Sequence, residues 1–230
     1  MKKKIFLPLA GLLLFGYANA QALFSTYTDS VKLVEDANTF IQDFSNDVKK
    51  VKPEVNISAK AILNTKPYLI FYSEKENVVN LPLWQQVIPD QQAFFTKLAG
   101  GDEEGQIVFG NLFNGYYLPH ELGHALAQAA NKTIAGHYEN EYFANTVAVL
   151  YWRKTKHFDD LEQSYQYAKK LLSQITSPVP EGQDEKKYFN DHYAEIAKDP
   201  YKYGFFQFNQ LVKIFEDESL KDFDEFLKTM

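Results

Sequence analysis

His120-Glu121-Leu122-Gly123-His124 is the stretch on which the reading of this chain turns. On a helix, residues four apart project from the same face, so both imidazoles can meet one metal ion. Glu121 stands beside the first histidine and off that stripe, where a carboxylate can reach a water next to the metal and take its proton. Histidine is scarce here, five in the whole chain, and this pair is flanked by Leu118, Leu122, Ala125 and Leu126. An apolar flank suits an internal metal site better than a solvated pair, and the donor set suits zinc. Gly123 costs about 1 kcal/mol inside a helix. Its presence predicts close packing beside the metal.

Two histidines leave a catalytic zinc one protein ligand short of the usual three. The next helix, about His137 to Trp152 across the break at Gly136, offers His137, Glu139 and Glu141. Glu141 is favoured because it begins Glu141-Tyr142-Phe143-Ala144-Asn145. Ala144 allows the two helices to approach. Asn145, one turn on, can accept a hydrogen bond from the nitrogen that a zinc histidine leaves free, fixing its tautomer. His137 shares the Glu141 face one turn away and stays a rival; Glu139 is offset toward solvent.

Upstream, Val31, Val34, Ala37, Ile41, Phe44 and Val48 mark one amphipathic helix within Ser25 to Lys50, with Asp36 on its polar side. Tyr68 to Tyr72 and Val78 to Leu83 read as strands joined by a polar turn at Ser73 to Asn77. Pro82, near the end of the second run, places Val78-Val79-Asn80-Leu81 at a sheet edge, since proline removes a ladder donor. Gln91 to Leu98 is a short helix, and Gly100-Gly101-Asp102-Glu103-Glu104-Gly105 reads as a loop with no phosphate-binding lysine after it. The metal helix then runs from Leu118 to Asn131, with Pro119 in its first turn. Beyond Trp152 the pattern is helical: Leu161 to Ile175, Lys186 to Lys198, Tyr203 to Phe215 and Leu220 to Leu227, punctuated at Pro178, Pro180 and Pro200. This is an α+β chain with a mainly helical C-terminal part and one domain over residues 21–230.

The first twenty residues belong outside that domain. Lys2 to Lys4, the apolar run Ile5 to Phe15 and Ala18-Asn19-Ala20 have the order of an export signal cut before Gln21. The apolar run falls short of the roughly 20 residues that cross a bilayer. The expectation is therefore an exported protein, periplasmic or extracellular, with no integral membrane segment after signal removal. The chain has no cysteine, so neither disulfides nor thiolate ligands contribute. Its 19 phenylalanines and 15 tyrosines must supply much of the core. A formal charge of −6 without a basic cluster argues against nucleic acid as a partner.

His-Glu-Leu-Gly-His followed by Glu-x-x-Ala-Asn resembles the zincin metallopeptidases, in the gluzincin branch whose third ligand is a glutamate on a following helix. The metzincin branch needs a histidine where this chain has Ala130. Relatives usually carry aspartate or a similar residue where Asn145 stands, a departure that touches the support of a ligand and not the ligand set. The resemblance covers Tyr68 to Trp152. It implies a zincin-like fold, His120, His124 and Glu141 on Zn(2+), Glu121 as general base, and an edge strand above the metal that holds an extended peptide or protein substrate. Val78 to Leu81 is the segment expected to do so. It also implies a donor for the oxyanion from beyond the third ligand, for which Tyr203, Tyr201 and His192 are the candidates. The contrasting expectation is a non-catalytic envelope protein that zinc merely stabilises, against which the presence of Glu121 argues.

Overall fold

The computed structural model describes residues 23–64 and 69–230; the expected signal at 1–20 and Tyr68 lie outside the described residues. Helix α1, Ser30–Val51, starts at Asp29, whose carboxylate accepts from the backbone N–H groups of Val31 and Lys32. Its buried stripe is Leu33, Ala37, Phe40, Ile41, Phe44 and Val48. This stripe is rotated from the expected one. Val31 is exposed, whereas Asp36 is buried, held by the Tyr27 hydroxyl at 2.8 Å and by Lys32.

Three short strands follow: β1 (Lys60–Leu63), β2 (Phe71–Ser73) and β3 (Val78–Leu81). Their order is β1-β3-β2, with β1 parallel and β2 antiparallel to β3. The expected edge strand Val78 to Leu81 is thus the central one. Pro82 comes one residue after the strand ends, so its missing N–H removes nothing from the ladder. The true edges differ. On β1, the Asn38 side chain accepts from Ala61 N–H at 3.0 Å and donates to Ala61 C=O at 3.4 Å, occupying the groups that another strand would use. The β2 edge faces the metal helix.

A 3₁₀ turn, Trp84–Gln86, leads to α2 (Pro89–Ala99) and then to α3 (Asp102–Phe109). The expected glycine loop is therefore mostly helix. Only Gly100 and Gly101 connect, and Asp102, Glu103 and Glu104 sit in the first turn of α3, where carboxylates favour the positive end of the helix dipole. From α3 the chain passes through a π-helical segment, Gly110–Tyr116, directly into α4 (Tyr117–Ala129). The metal helix is thus the end of a longer helical run and not a fresh start at Leu118. Inside such a run the Pro119 ring would strike the carbonyl of Gly115, four residues back. The wider π turns just ahead of it, with Tyr117 N–H donating to Leu112 C=O, relieve that conflict.

Helix α5 (His137–Lys154) returns against α4, followed by α6 (Phe158–Leu172), α7 (Glu185–Ile196), α8 (Pro200–Glu216) and α9 (Phe223–Lys228). These match the expected C-terminal helices within a few residues. The core they close over is strongly aromatic. Trp152 packs against Phe24 and Phe40 at centroid separations of 4.5 and 4.8 Å, and its indole N–H donates to Tyr116 C=O. Among the described residues no helix is long and apolar enough to cross a membrane.

Candidate metal centre

Helices α4 and α5 meet where Gly123 faces Ala144. A Cβ at position 123 would lie 2.8 Å from the Ala144 Cα, so the contact exists only because one side chain is absent and the other is a methyl. This approach carries His120 and His124 toward Glu141. Their ligand atoms all lie within 4.8 Å of one another. His120 Nε2 is 3.3 Å from His124 Nε2 and 3.3 Å from Glu141 Oε2, and His124 Nε2 is 3.9 Å from Glu141 Oε2. Ligands about 2.1 Å from a tetrahedral ion stand roughly 3.4 Å apart, so these separations suit one small cation.

The rivals of Glu141 are engaged elsewhere. His137 stacks on Tyr193 with ring centroids 3.8 Å apart. Glu139 pairs with Lys186 at 2.5 Å and accepts from Asn190.

A chain of hydrogen bonds sets the protonation of the site. Glu141 Oε2 accepts from Gln207 Nε2 at 2.8 Å, which turns the Gln207 oxygen toward Asn145. Asn145 Nδ2 donates to that oxygen and to Gln210 Oε1, both at 3.0 Å. Its own Oδ1 therefore faces His120 Nδ1 at 3.0 Å and also accepts from the Tyr116 hydroxyl. With the His120 proton on Nδ1, the Nε2 lone pair points at a carboxylate oxygen and a second imidazole nitrogen. Ligand atoms of two histidines and a carboxylate converge here, and the residues fit a metal ion.

Asn145 thus stands where expected. Gln207 and Gln210 were not foreseen; the available signal was two amides three residues apart on a helix whose other inward residues are Phe206, Phe208, Leu211 and Ile214.

Charge around the site is strongly coupled. Burial pulls the pKa of His120 down, but the Glu141 hydrogen bond and the Glu121 and Glu141 charges outweigh it and leave it raised. Burial pushes Glu141 up; the hydrogen bond from His120 and the charges of both histidines overcome this and hold the carboxyl well below its ordinary range. Glu121 is raised, because burial exceeds the opposing pull of the two histidines and of the Tyr72 N–H. That N–H, on strand β2, donates to Glu121 Oε2 at 2.8 Å.

An apolar cavity adjoins the site on the His120 and Glu121 side, and Tyr203 lines it. Burial and the nearby Glu141 and Glu121 carboxylates push the Tyr203 phenol well up, so it remains a proton donor. The other two oxyanion candidates do not line the cavity. Tyr201 packs edge-on against Phe94 and under Lys97, and His192 stacks on Tyr188 at an exposed position. Val78 to Leu81 lies between β1 and β2 in the sheet, so neither of its edges is open. In comparison with known proteins, the chain matches no family model, no curated protein and no solved structure.

Proposed function

We propose that this chain is an exported zinc-dependent peptidase. The observation that carries the reading is the convergence of His120, His124 and Glu141 with the buried carboxyl of Glu121 beside them. A bound zinc ion would supply Lewis-acid polarisation of a carbonyl and acidify an attacking water. Glu121 takes that water's proton and hands it to the leaving nitrogen, the general-base role open to a carboxylate held beside the metal ligands. Tyr203 donates a hydrogen bond to the developing oxyanion, a role worth a few kcal/mol in the transition state. Val78 to Leu81, paired on both sides, is not the strand that would hold an extended substrate.

Replacement of Glu121 by glutamine tests the catalytic part. The variant should retain about one zinc per chain and lose hydrolysis of a diverse peptide library by roughly a thousandfold or more. A wild-type protein that holds zinc and cleaves no member of the library would leave the non-catalytic, zinc-stabilised reading in its place. Export is tested separately, by mass spectrometry of protein recovered from the cell envelope and medium. The chain should begin at Gln21.

A further inference from the structure

The cavity beside the metal centre has a volume of about 110 Å³ and a largely apolar wall, with Phe94, Phe95, Phe113 and Phe208 among its rings. Tyr117 and Tyr203 also line it, each bringing a hydroxyl. Tyr117 precedes His120 by three residues and Glu121 by four, so the helical period puts all three on one face of α4. Its ring is fixed edge-on to His120 at 5.3 Å and tilted against Phe113 at 5.2 Å. Tyr203 stands one turn before Gln207 on α8, the residue that donates to Glu141.

The other buried tyrosines of the core are all paired through their hydroxyls: Tyr27 with Asp36, Tyr116 with Asn145, Tyr151 with Asp47 and Tyr165 with Glu216. Tyr117 is equally buried, yet neither its hydroxyl nor that of Tyr203 has a hydrogen-bond partner among the described residues. The unpartnered oxygens that are sealed from solvent lie on Gln91, Asn111 and Asn114, and the two phenol oxygens are not among them, so both reach open space. A hydroxyl taken from water and given no partner costs free energy, and phenylalanine would fill either place without that cost. The hydroxyls therefore add nothing to the resting fold.

Burial raises both phenols, and so do the Glu141 and Glu121 charges; Tyr203 is raised by Tyr117 as well, so the two rings share one electrostatic neighbourhood with the carboxylates. Among the described residues no lysine or arginine lines the cavity. A cationic donor there would be drawn into an ion pair with Glu121 or Glu141, whereas a phenol stays neutral and keeps its proton to donate.

We propose that Tyr117 and Tyr203 act as a pair, both donating to one oxygen of the bound substrate, the carbonyl oxygen that gains negative charge as water attacks. Tyr117 is on this account a second catalytic donor, supplied by the metal helix itself from one turn before His120. The assignment extends the role given to Tyr203 and rests on the peptidase reading. Its bond strengthens as charge develops on the oxygen, so it acts on kcat more than on KM.

Tyr117→Phe, Tyr203→Phe and the double variant keep the rings and remove only the hydroxyls. In chelator, urea unfolding should find each at least as stable as wild type; a lower midpoint for Tyr117→Phe would mark its hydroxyl as structural and overturn the proposal. On the best-cleaved peptide of a diverse library, either single variant of the zinc-loaded protein should lose about a hundredfold in kcat with KM held within about twofold. The double variant should lose less than the product of the single losses, since the hydroxyls serve one oxygen. A strictly multiplicative loss would separate them and overturn the pairing.

Calorimetry on the zinc-loaded protein keeps this inference distinct from the peptidase reading. N-phosphoryl-leucinamide, a tetrahedral oxyanion, should bind each phenylalanine variant about tenfold or more weakly than wild type, while the planar N-acetyl-leucinamide changes by less than about twofold. If no peptide is cleaved yet the phosphoryl probe binds and is weakened by Tyr117→Phe, the donor pair stands and the peptidase reading falls. If peptides are cleaved and Tyr117→Phe alters neither kcat nor probe affinity, the pair falls and the peptidase reading stands. A protein that neither cleaves a peptide nor binds the phosphoryl probe overturns both.

Discussion

His120 and His124 stand one turn apart on the same helix, yet their surroundings differ. His120 is buried, edge-on to Tyr117, and its second nitrogen is tied through Asn145 to Gln207 and Gln210. His124 is partly exposed and borders a polar cleft formed with Glu74, Gln128, Asn131, Lys132 and Asn140. The two flanks divide the work of a metal site. With a metal bound, one flank would orient a ligand against an aromatic wall and the other would leave a ligand beside solvent.

The strongest way to break this contrast is to remove each histidine in turn. Either alanine variant should abolish stoichiometric zinc binding by elemental analysis. Their metal-free forms should differ in stability: His120→Ala opens a buried space and strips a partner from a hydrogen-bonded network, at about 2–4 kcal/mol, while His124→Ala costs less than about 1 kcal/mol. Urea unfolding in chelator checks this, and equal losses would erase the distinction between the flanks.

Asn145→Leu comes next. It keeps all three ligands but frees the His120 ring, and should weaken metal affinity 10–100-fold by competition titration. Asn145→Asp, despite restoring the residue usual in the families this motif resembles, should also destabilise here, since a carboxylate cannot donate to the Gln207 and Gln210 oxygens that now accept from Asn145. An increase in metal affinity for Asn145→Asp would show that the amide network matters less than its geometry suggests.

Gly123→Ala tests the contact beneath both flanks. Helix propensity alone would gain about 1 kcal/mol. Overpacking against Ala144 should reverse the sign and cost about 1–3 kcal/mol in thermal or denaturant unfolding. At the small end, Lys132→Ala on the His124 flank should change stability by less than about 0.5 kcal/mol and leave zinc affinity as it was. A large effect there would mean that the polar cleft shapes the site as much as the apolar one.

The parts of this site that were legible in the sequence are those set by spacing along one helix. His120, Glu121 and His124 follow from the helical period, and Glu141 with Ala144 and Asn145 from the same logic on the next helix. What escaped depends on segments far apart in the chain. Val78 to Leu81 is central because Lys60 to Leu63 pairs with it, a four-residue run whose single buried alanine carries almost no strand signal. Gln207 and Gln210 reach Asn145 from 62 and 65 residues away. The acidic first turn of α3 reads as loop in the sequence because adjacent glycines mask its favourable dipole contacts. The π segment arises from a conflict between Pro119 and a helix already under way, which local propensity does not register.

The empty space at Gly123 works as a gauge. The residue before His124 has no functional group, and its partner Ala144 lies three positions past Glu141, so the gap between the third ligand and the second histidine is set by a pair that performs no chemistry. A Cβ added there would lie 2.8 Å from the Ala144 Cα, closer than the two helices can hold without parting. The 3.9 Å between His124 Nε2 and Glu141 Oε2 is in this sense a dimension machined by the smallest side chain in the molecule. The spacing of these three candidate ligands depends on a position that carries no side chain.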